Sequence, residues 1–426
     1  MVQEPVRIVV IGAGYAGMLA TSRLAGKVKR EIQAGGVSIT LVNAADVFVE
    51  RLRLHQFAAH RLIPFRPISK ILSGTGVSFL PGMVTRIDLA RRTLEVQTDG
   101  GVRQVAYDNL LFALGSATDR DRVPGVREHA YVLAPSGEKS ADALRDLLPK
   151  VNAKSGGGRL LVCGGGATGI EAAAEFAAAY PHLQVQLVTQ GNFGHAFGER
   201  IAAYMRQSLA RLGVSIQDHT TIAGVRASEA VTADGAVLPF DVCLWTGGFT
   251  APRLAREAGL AVNERGQVLI DPFMRSISHP EIFAAGDTAY PVEAPGVTAV
   301  RMAALTATIM GAHVADNLSA LIQHKPARPL SFAYIGQGIA LGPRNAIGFN
   351  NYPNDKPNPP YFTGRLGYEG REFFVRLLAN IPKFERGWPG VTVWPGKGRY
   401  AASKKRRGGN ITPPVQQPSA APQPRQ

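Results

Sequence analysis

Two cysteines, Cys163 and Cys243, are all that 426 residues contain. So few, each inside an apolar run that predicts a core strand, exclude a disulfide framework and a thiolate metal site. No stretch reaches the ~18 uninterrupted apolar residues of a spanning helix. The nearest, 299–322, is broken by Arg301, His313, Asp316 and Asn317. An apolar strand beginning at Val6 leaves no room for a signal peptide. No carboxylate pair, histidine cluster or Ser/His/Asp arrangement points to hydrolysis or metal catalysis, and no metal ligand is predicted. Acids are absent from 401–426, where Lys404, Lys405, Arg406, Arg407 and Arg425 stand alone. With a net four more between 361 and 400, nine of the fifteen excess positive charges fall in the last 66 residues. The charge therefore describes the C-terminal end and its contacts more than the body of the chain.

What is present is glycine in two patterned places. Ile11-Gly12-Ala13-Gly14-Tyr15-Ala16-Gly17 follows the apolar run Val6 to Ile11, and Cys163-Gly164-Gly165-Gly166-Ala167-Thr168-Gly169 follows Arg159 to Val162. Each reads as strand, tight turn and helix start. The first glycine makes the turn, the second lets backbone approach a pyrophosphate, and the third lets helix and strand pack closely. One such match is weak. Two, about 150 residues apart, imply two dinucleotides on one chain.

The length suits two or three domains, and a 45% hydrophobic content suits packed cores. Residues 6–42 read as a βαβ unit. Short strands follow over 77–115, with turns at Pro81-Gly82 and Asp99-Gly100-Gly101. A helix over 138–152 leads to a second βαβ unit, with a strand at 159–163, a helix at 168–180 and a strand at 184–189. The span 212–249 reads as β-rich, and 299–322 as a helix. The predicted class is α/β, with two Rossmann-like dinucleotide domains. The first is discontinuous over 1–120 and 262–330, the second covers 121–261, a small α+β unit covers 331–400, and a Pro/Gln-rich basic tail covers 401–426.

In this order the motifs resemble the two-dinucleotide flavoprotein family of pyridine-nucleotide reductases, and its type II NADH dehydrogenase and apoptosis-inducing-factor-like branch above all. The resemblance covers 6–350. It implies FAD on the first fingerprint (Gly12, Gly14, Tyr15, Ala16 and Gly17, with Val84) and NADH or NADPH on the second (Gly164, Gly166, Thr168, Gly169). It places the flavin ribityl chain on Gly286 and Asp287, and crossover motifs at Leu114-Gly115-Ser116 and Thr246-Gly247-Gly248. It implies hydride transfer from nicotinamide to flavin, with the helix that starts near Arg301 facing the flavin. Glu171 matches a family glutamate beside the nicotinamide, a candidate to orient the carboxamide or relay a proton. His55 is a candidate proton donor to the reduced acceptor.

The departures are specific. The acid that grips the FAD ribose is replaced by Asn43. The residue that selects between NADH and NADPH is replaced by Gln190, which leaves the choice open. No cysteine lies in Phe48 to Gln56, so a redox dithiol is not expected. The Ala-Gln-x-Ala-x-Gln pattern beside the quinone becomes Ala304-Leu305-Thr306-Ala307-Thr308-Ile309, with both glutamines lost. A quinone-like or other small acceptor is the expectation. An electron-accepting iron–sulfur partner, a biosynthetic flavin reaction and a flavin-bound sensor are the alternatives.

Near the C-terminus, Phe373, Phe374, Leu377, Leu378 and Ile381 read as one apolar helical face that Pro382 ends. Arg371, Arg376, Lys383 and Arg386 flank it. Three uses stay open: packing on the body, a homodimer face, or peripheral contact with a membrane through 371–388 and 404–407. The expected place is the cytoplasm, or the inner face of the cell membrane. No pattern supports specific nucleic-acid binding.

Overall fold

The computed structural model describes residues 4–292, 300–331, 333–352 and 355–394. The tail with Lys404–Arg407 lies outside them. Val6–Ile11 is apolar on both faces from Ile8 onward, as a strand covered on both sides must be. It is central in a five-stranded parallel sheet, ordered Ile282–Ala284, Asn109–Phe112, Val6–Ile11, Val37–Asn43, Ser78–Pro81. Its outermost strand, Ile282–Ala284, comes from far down the chain and runs straight into Gly286-Asp287. A second parallel sheet is ordered Ser215–Gln217, Gln184–Val188, Arg159–Cys163, Val242–Trp245. Each sheet is interrupted in sequence by an antiparallel three-stranded one: Met83–Asp88, Thr93–Thr98 and Gly101–Ala106, and Ile222–Val225, Glu229–Thr232 and Val237–Pro239. The chain segments that pass between the two halves pair with each other, Ala117–Thr118 against Phe249–Thr250.

Helix packing decides where the first fingerprint faces. The long helix Ala304–Ile322 crosses the first nucleotide helix, Tyr15–Lys27, so closely that a Cβ on Gly311 would stand 2.4 Å from the Ala16 carbonyl oxygen. Glycine at 311 thus brings the start of the long helix beside the glycine loop. That helix begins at Ala304, not 299, and Arg301 precedes it.

The C-terminal unit is an antiparallel sheet, Gly336–Ala340, Ala346–Asn351 and Pro357–Thr363, covered by the helix Gly364–Gly387. Here two expectations need correction. The helix does not stop at Pro382 but continues one and a half turns beyond it. Proline cannot donate to the Leu378 carbonyl, and tertiary bonds beyond it hold the last turn. Buried Glu385 pairs with Arg23 at 2.8 Å and accepts from the Gly390 and Thr392 amides. Arg386 donates to the Ser73 carbonyl at 2.9 Å. Nor do the five apolar residues share one environment. Leu378 is buried and Phe374 half-buried on the inner side, while Phe373 is 68% exposed. At 100° per residue the set spans too wide an arc for one contact. Arg371, read as a flank of that face, is buried.

Cys163 and Cys243 lie on neighbouring strands, buried, as free thiols with their Sγ atoms 3.8 Å apart.

Candidate functional site

The carboxyl ends of both parallel sheets open on one cavity of about 980 Å³, where open α/β sheets hold their ligands. Its first wall is the turn Gly12–Ala16. Gly12 has φ +97°, and a Cβ there would lie 2.5 Å from the Ala113 oxygen. A Cβ on Gly17 would lie 1.8 Å from the Gly12 oxygen, so helix and strand meet only through glycine. The helix Tyr15–Lys27 has no side-chain N-cap, and neither has Ala167–Ala179. A Cβ on either N-cap glycine, Gly14 or Gly166, would meet nothing within 4 Å. Both helix starts therefore keep free N–H groups and open space, which is what a pyrophosphate needs.

Asn43 serves the loop. Its Oδ1 accepts from the Ala13 amide at 2.9 Å and its Nδ2 donates to the Ala45 oxygen at 2.8 Å. A carboxylate could do the first but not the second. Asp287, at the end of the fifth strand, accepts from Ser116 Oγ at 2.7 Å. Burial pushes its carboxyl above the usual range, against the pull of Ser116, Arg51 and the Ala303 amide. No sequence motif marks Arg51, which stands in the stretch that lacks cysteine. Its guanidinium stands in the cavity 3.9 Å from where a Gly115 Cβ would be, and no carboxylate lies within ion-pair distance among the described residues. Desolvation lowers its pKa, partly offset by Asp287 and Tyr15. An unpaired cation in the cavity that also holds the uncapped start of Tyr15–Lys27 fits a bound diphosphate, and these residues together fit FAD. Arg301 also lines the cavity, 3.0 Å from Asp355 and over the Tyr334 ring.

The cavity continues to Ala167, Thr168 and Glu171 of the second unit, then to an arm bounded by Phe362, Leu366, Gly370, Phe374 and Leu378. Glu171 is buried there, its Oε1 receiving Arg371 at 2.8 Å and the Ala340 amide at 2.9 Å. His55 lines the same region. Burial first, then Arg371, Arg53 and Arg61, hold its pKa well below the usual histidine value, and its Nε2 has no hydrogen-bond partner among the described residues.

Of the residues singled out in the sequence, the cavity wall thus includes Gly12, Gly14, Tyr15, Ala16, Asn43, His55, Gly115, Thr168, Glu171, Gly286, Asp287 and Arg301. Gly17, Gly164, Gly169 and Gly247 stand behind it as packing or turn positions, and Gly166, outside the wall, is the open N-cap of Ala167–Ala179. Val84 lies on the antiparallel strand Met83–Asp88, off the wall, and Gln190 is exposed past the end of Gln184–Val188. Of the two lost glutamine positions, Leu305 faces the cavity and Ile309 is buried in the core. No cysteine is among the lining residues.

Known proteins are similar to this chain in sequence or in fold. The demethylphylloquinone reductase NdbB of Synechocystis sp. is 26% identical over 356 residues, covering 80% of this chain and 86% of the relative. A type II NADH:quinone oxidoreductase of Staphylococcus epidermidis is 25% identical over 372 residues, covering 82% and 90%. The structure of NDH2 from Plasmodium falciparum in complex with NADH superposes with a TM-score of 0.73 at 15% identity, over 91% of this chain and 98% of that one. Residues 6–316, which carry both glycine turns, the Asp287 strand and most of the long helix, match one family throughout, and the chain belongs to the pyridine nucleotide-disulphide oxidoreductases.

Proposed function

We propose that this protein is an FAD-dependent NAD(P)H oxidoreductase that passes electrons from nicotinamide through flavin to a quinone-like acceptor, without a cysteine relay. The observation that carries this reading is the single cavity joining the two glycine turns to an apolar arm under the C-terminal helix. Relatives named as quinone reductases, matched over most of their length, support it.

FAD, when bound, supplies the hydride-accepting centre and the reductant for the second substrate. The protein's part is placement. The two uncapped helix starts and Arg51 hold the pyrophosphates. Asp287, fixed by Ser116, faces a ribityl hydroxyl as acceptor. The start of Ala304–Ile322 and Arg301 present positive potential to the far end of the cavity. Glu171 meets the nicotinamide. His55, buried and neutral, offers the acceptor a hydrogen-bond donor. The arm of Phe362, Leu366 and Phe374 takes a flat apolar acceptor through its walls, which accommodates the loss of the glutamine pair. Exposed Gln190 selects neither nucleotide.

No helix among the described residues is long and apolar enough to cross a membrane. The outer side of the C-terminal helix exposes Phe373 and Phe384 among exposed Arg365, Glu369, Arg376 and Lys383, a net positive set. Such a face suits peripheral contact with an anionic bilayer, the source of a lipophilic acceptor, on the inner side of the cell membrane.

Anaerobic stopped-flow of the flavin-loaded protein tests the reading. NADH or NADPH should bleach the visible flavin band, and a soluble quinone should restore it. A protein that cannot be loaded with FAD, or whose flavin neither nucleotide reduces, sinks the proposal.

A further inference from the structure

The C-terminal helix reaches into the nicotinamide end of the cavity. Arg371 is 5% exposed and all three of its guanidinium nitrogens are engaged. Nε and Nη2 each lie 2.8 Å from Glu171 Oε1, Nη1 is 2.9 Å from Glu372 Oε1, and Nη2 also donates to the Leu52 carbonyl at 3.4 Å. The approach depends on Gly338, where a Cβ would stand 3.1 Å from that of Arg371. Beyond Arg371 the charges alternate through buried groups. Glu372 Oε2 pairs with Arg53 at 2.8 Å, Arg53 with Glu50 at 3.1 Å, and Glu50 with Arg66 at 2.5 Å. One ionic chain thus joins the second nucleotide helix, the C-terminal helix and the segment that follows the first βαβ unit.

We propose that Arg371 is a positioning residue for the nicotinamide: it fixes Glu171 from the helix that also walls the acceptor arm. The inference rests on Glu171 meeting the nicotinamide, as read above. Two hydrogen bonds converge on Glu171 Oε1, from Arg371 Nε and the Ala340 amide, with Arg371 Nη2 in ion-pair contact at 2.8 Å. No donor lies within hydrogen-bond distance of Oε2 among the described residues, so that oxygen is left for a ligand N–H such as a carboxamide. Arg371 itself has no nitrogen left over, so it acts through Glu171. Its neighbours on the helix, Gly370 and Phe374, line the acceptor arm. The two ends of the cavity therefore share one rigid element, and a shift of that helix at the acceptor end moves the carboxylate at the other.

The test uses flavin-loaded protein carrying Arg371→Lys, Glu171→Gln, both together, and Glu372→Gln. FAD content and Tm report folding, and NAD+ titration and steady-state kinetics report the site. Lysine keeps the charge but not the planar fork. Arg371→Lys should raise the KM for NADH and the Kd for NAD+ by about tenfold, the low end for losing an orienting partner. The acceptor KM should stay within about twofold, since no donor to the acceptor is lost. In the Glu171→Gln background the same change should add nothing further. Glu372→Gln, which frees one arm of the guanidinium, should shift the nicotinamide constants the same way by less. Effects of Arg371→Lys confined to Tm or FAD content, or effects that multiply in the double variant, overturn the proposal. A silent Glu171→Gln removes Glu171 from the nicotinamide site and this inference with it, while the oxidoreductase reading survives as long as NAD(P)H bleaches the wild-type flavin.

Discussion

At the scale of single residues, the cavity is defined by side chains whose usual partners are missing or spent. Arg51 is a cation in the cavity with no carboxylate in ion-pair range among the described residues. If it holds a diphosphate, Arg51→Gln removes a charge-assisted bond of about 1.5–3 kcal/mol. The Kd for FAD, read by titrating the apoprotein, should rise by about ten- to a hundredfold, and the wild-type affinity should fall more steeply with salt. Unchanged affinity would move Arg51 out of the cofactor site. His55 carries a sign that can be checked. Its folded pKa lies below the ordinary 6.5, so between those two values the unfolded chain binds the extra proton. Its contribution to stability is therefore complete above about pH 6.5 and is lost as pH falls. His313, also lowered by burial, acts in the same direction. His55→Gln should therefore flatten, without abolishing, the loss of Tm on the acid side. A variant with the wild-type slope would show that His55 is not buried neutral.

At the scale of elements, the two glycine turns were legible because a strand, a turn and a helix can meet at that angle only where Cβ atoms are missing. Gly17 and Gly169 make the same contact in the two halves, with a Cβ 1.8 Å from the Gly12 oxygen and 2.0 Å from the Gly164 oxygen. Alanine at either position forces backbone apart, at a cost of at least about 3 kcal/mol. The two outcomes should differ. Gly17→Ala should lower both Tm and FAD content. Gly169→Ala should keep its FAD but lose fast bleaching by NADH. Equal flavin loss in both would mean that the halves do not divide the two nucleotides. The C-terminal helix was misread at both of its decisive points. Proline at 382 is a strong local stop, yet Glu385 and Arg386 beyond it are tied to Arg23 and to the Ser73 carbonyl. Local rules lose where tertiary bonds hold the next turn.

At the scale of the whole molecule, the C-terminal helix presents Arg371, Phe374 and Leu378 inward and Phe373 and Phe384 outward, with Leu366 at the rim of the cavity. Phe373→Ser with Phe384→Ser should leave NADH-driven flavin bleaching intact and lower partition onto anionic vesicles by at least tenfold. Each side chain is worth about 1.5–3 kcal/mol at full burial. Equal partition of variant and wild type, or a loss of dimer by light scattering, would assign that face to another use. The sequence by itself determined the fold class, the two dinucleotide turns and the lack of a redox dithiol. Those depend on local backbone geometry and on which atoms exist. Only the tertiary structure decided that Asn43 braces the glycine loop, that Arg51 stands in the cavity, and that Arg371 closes on Glu171 from 200 residues away. Such pairings depend on which distant surfaces are buried together, and a charge on a helix does not reveal in advance whether it will face water or a carboxylate.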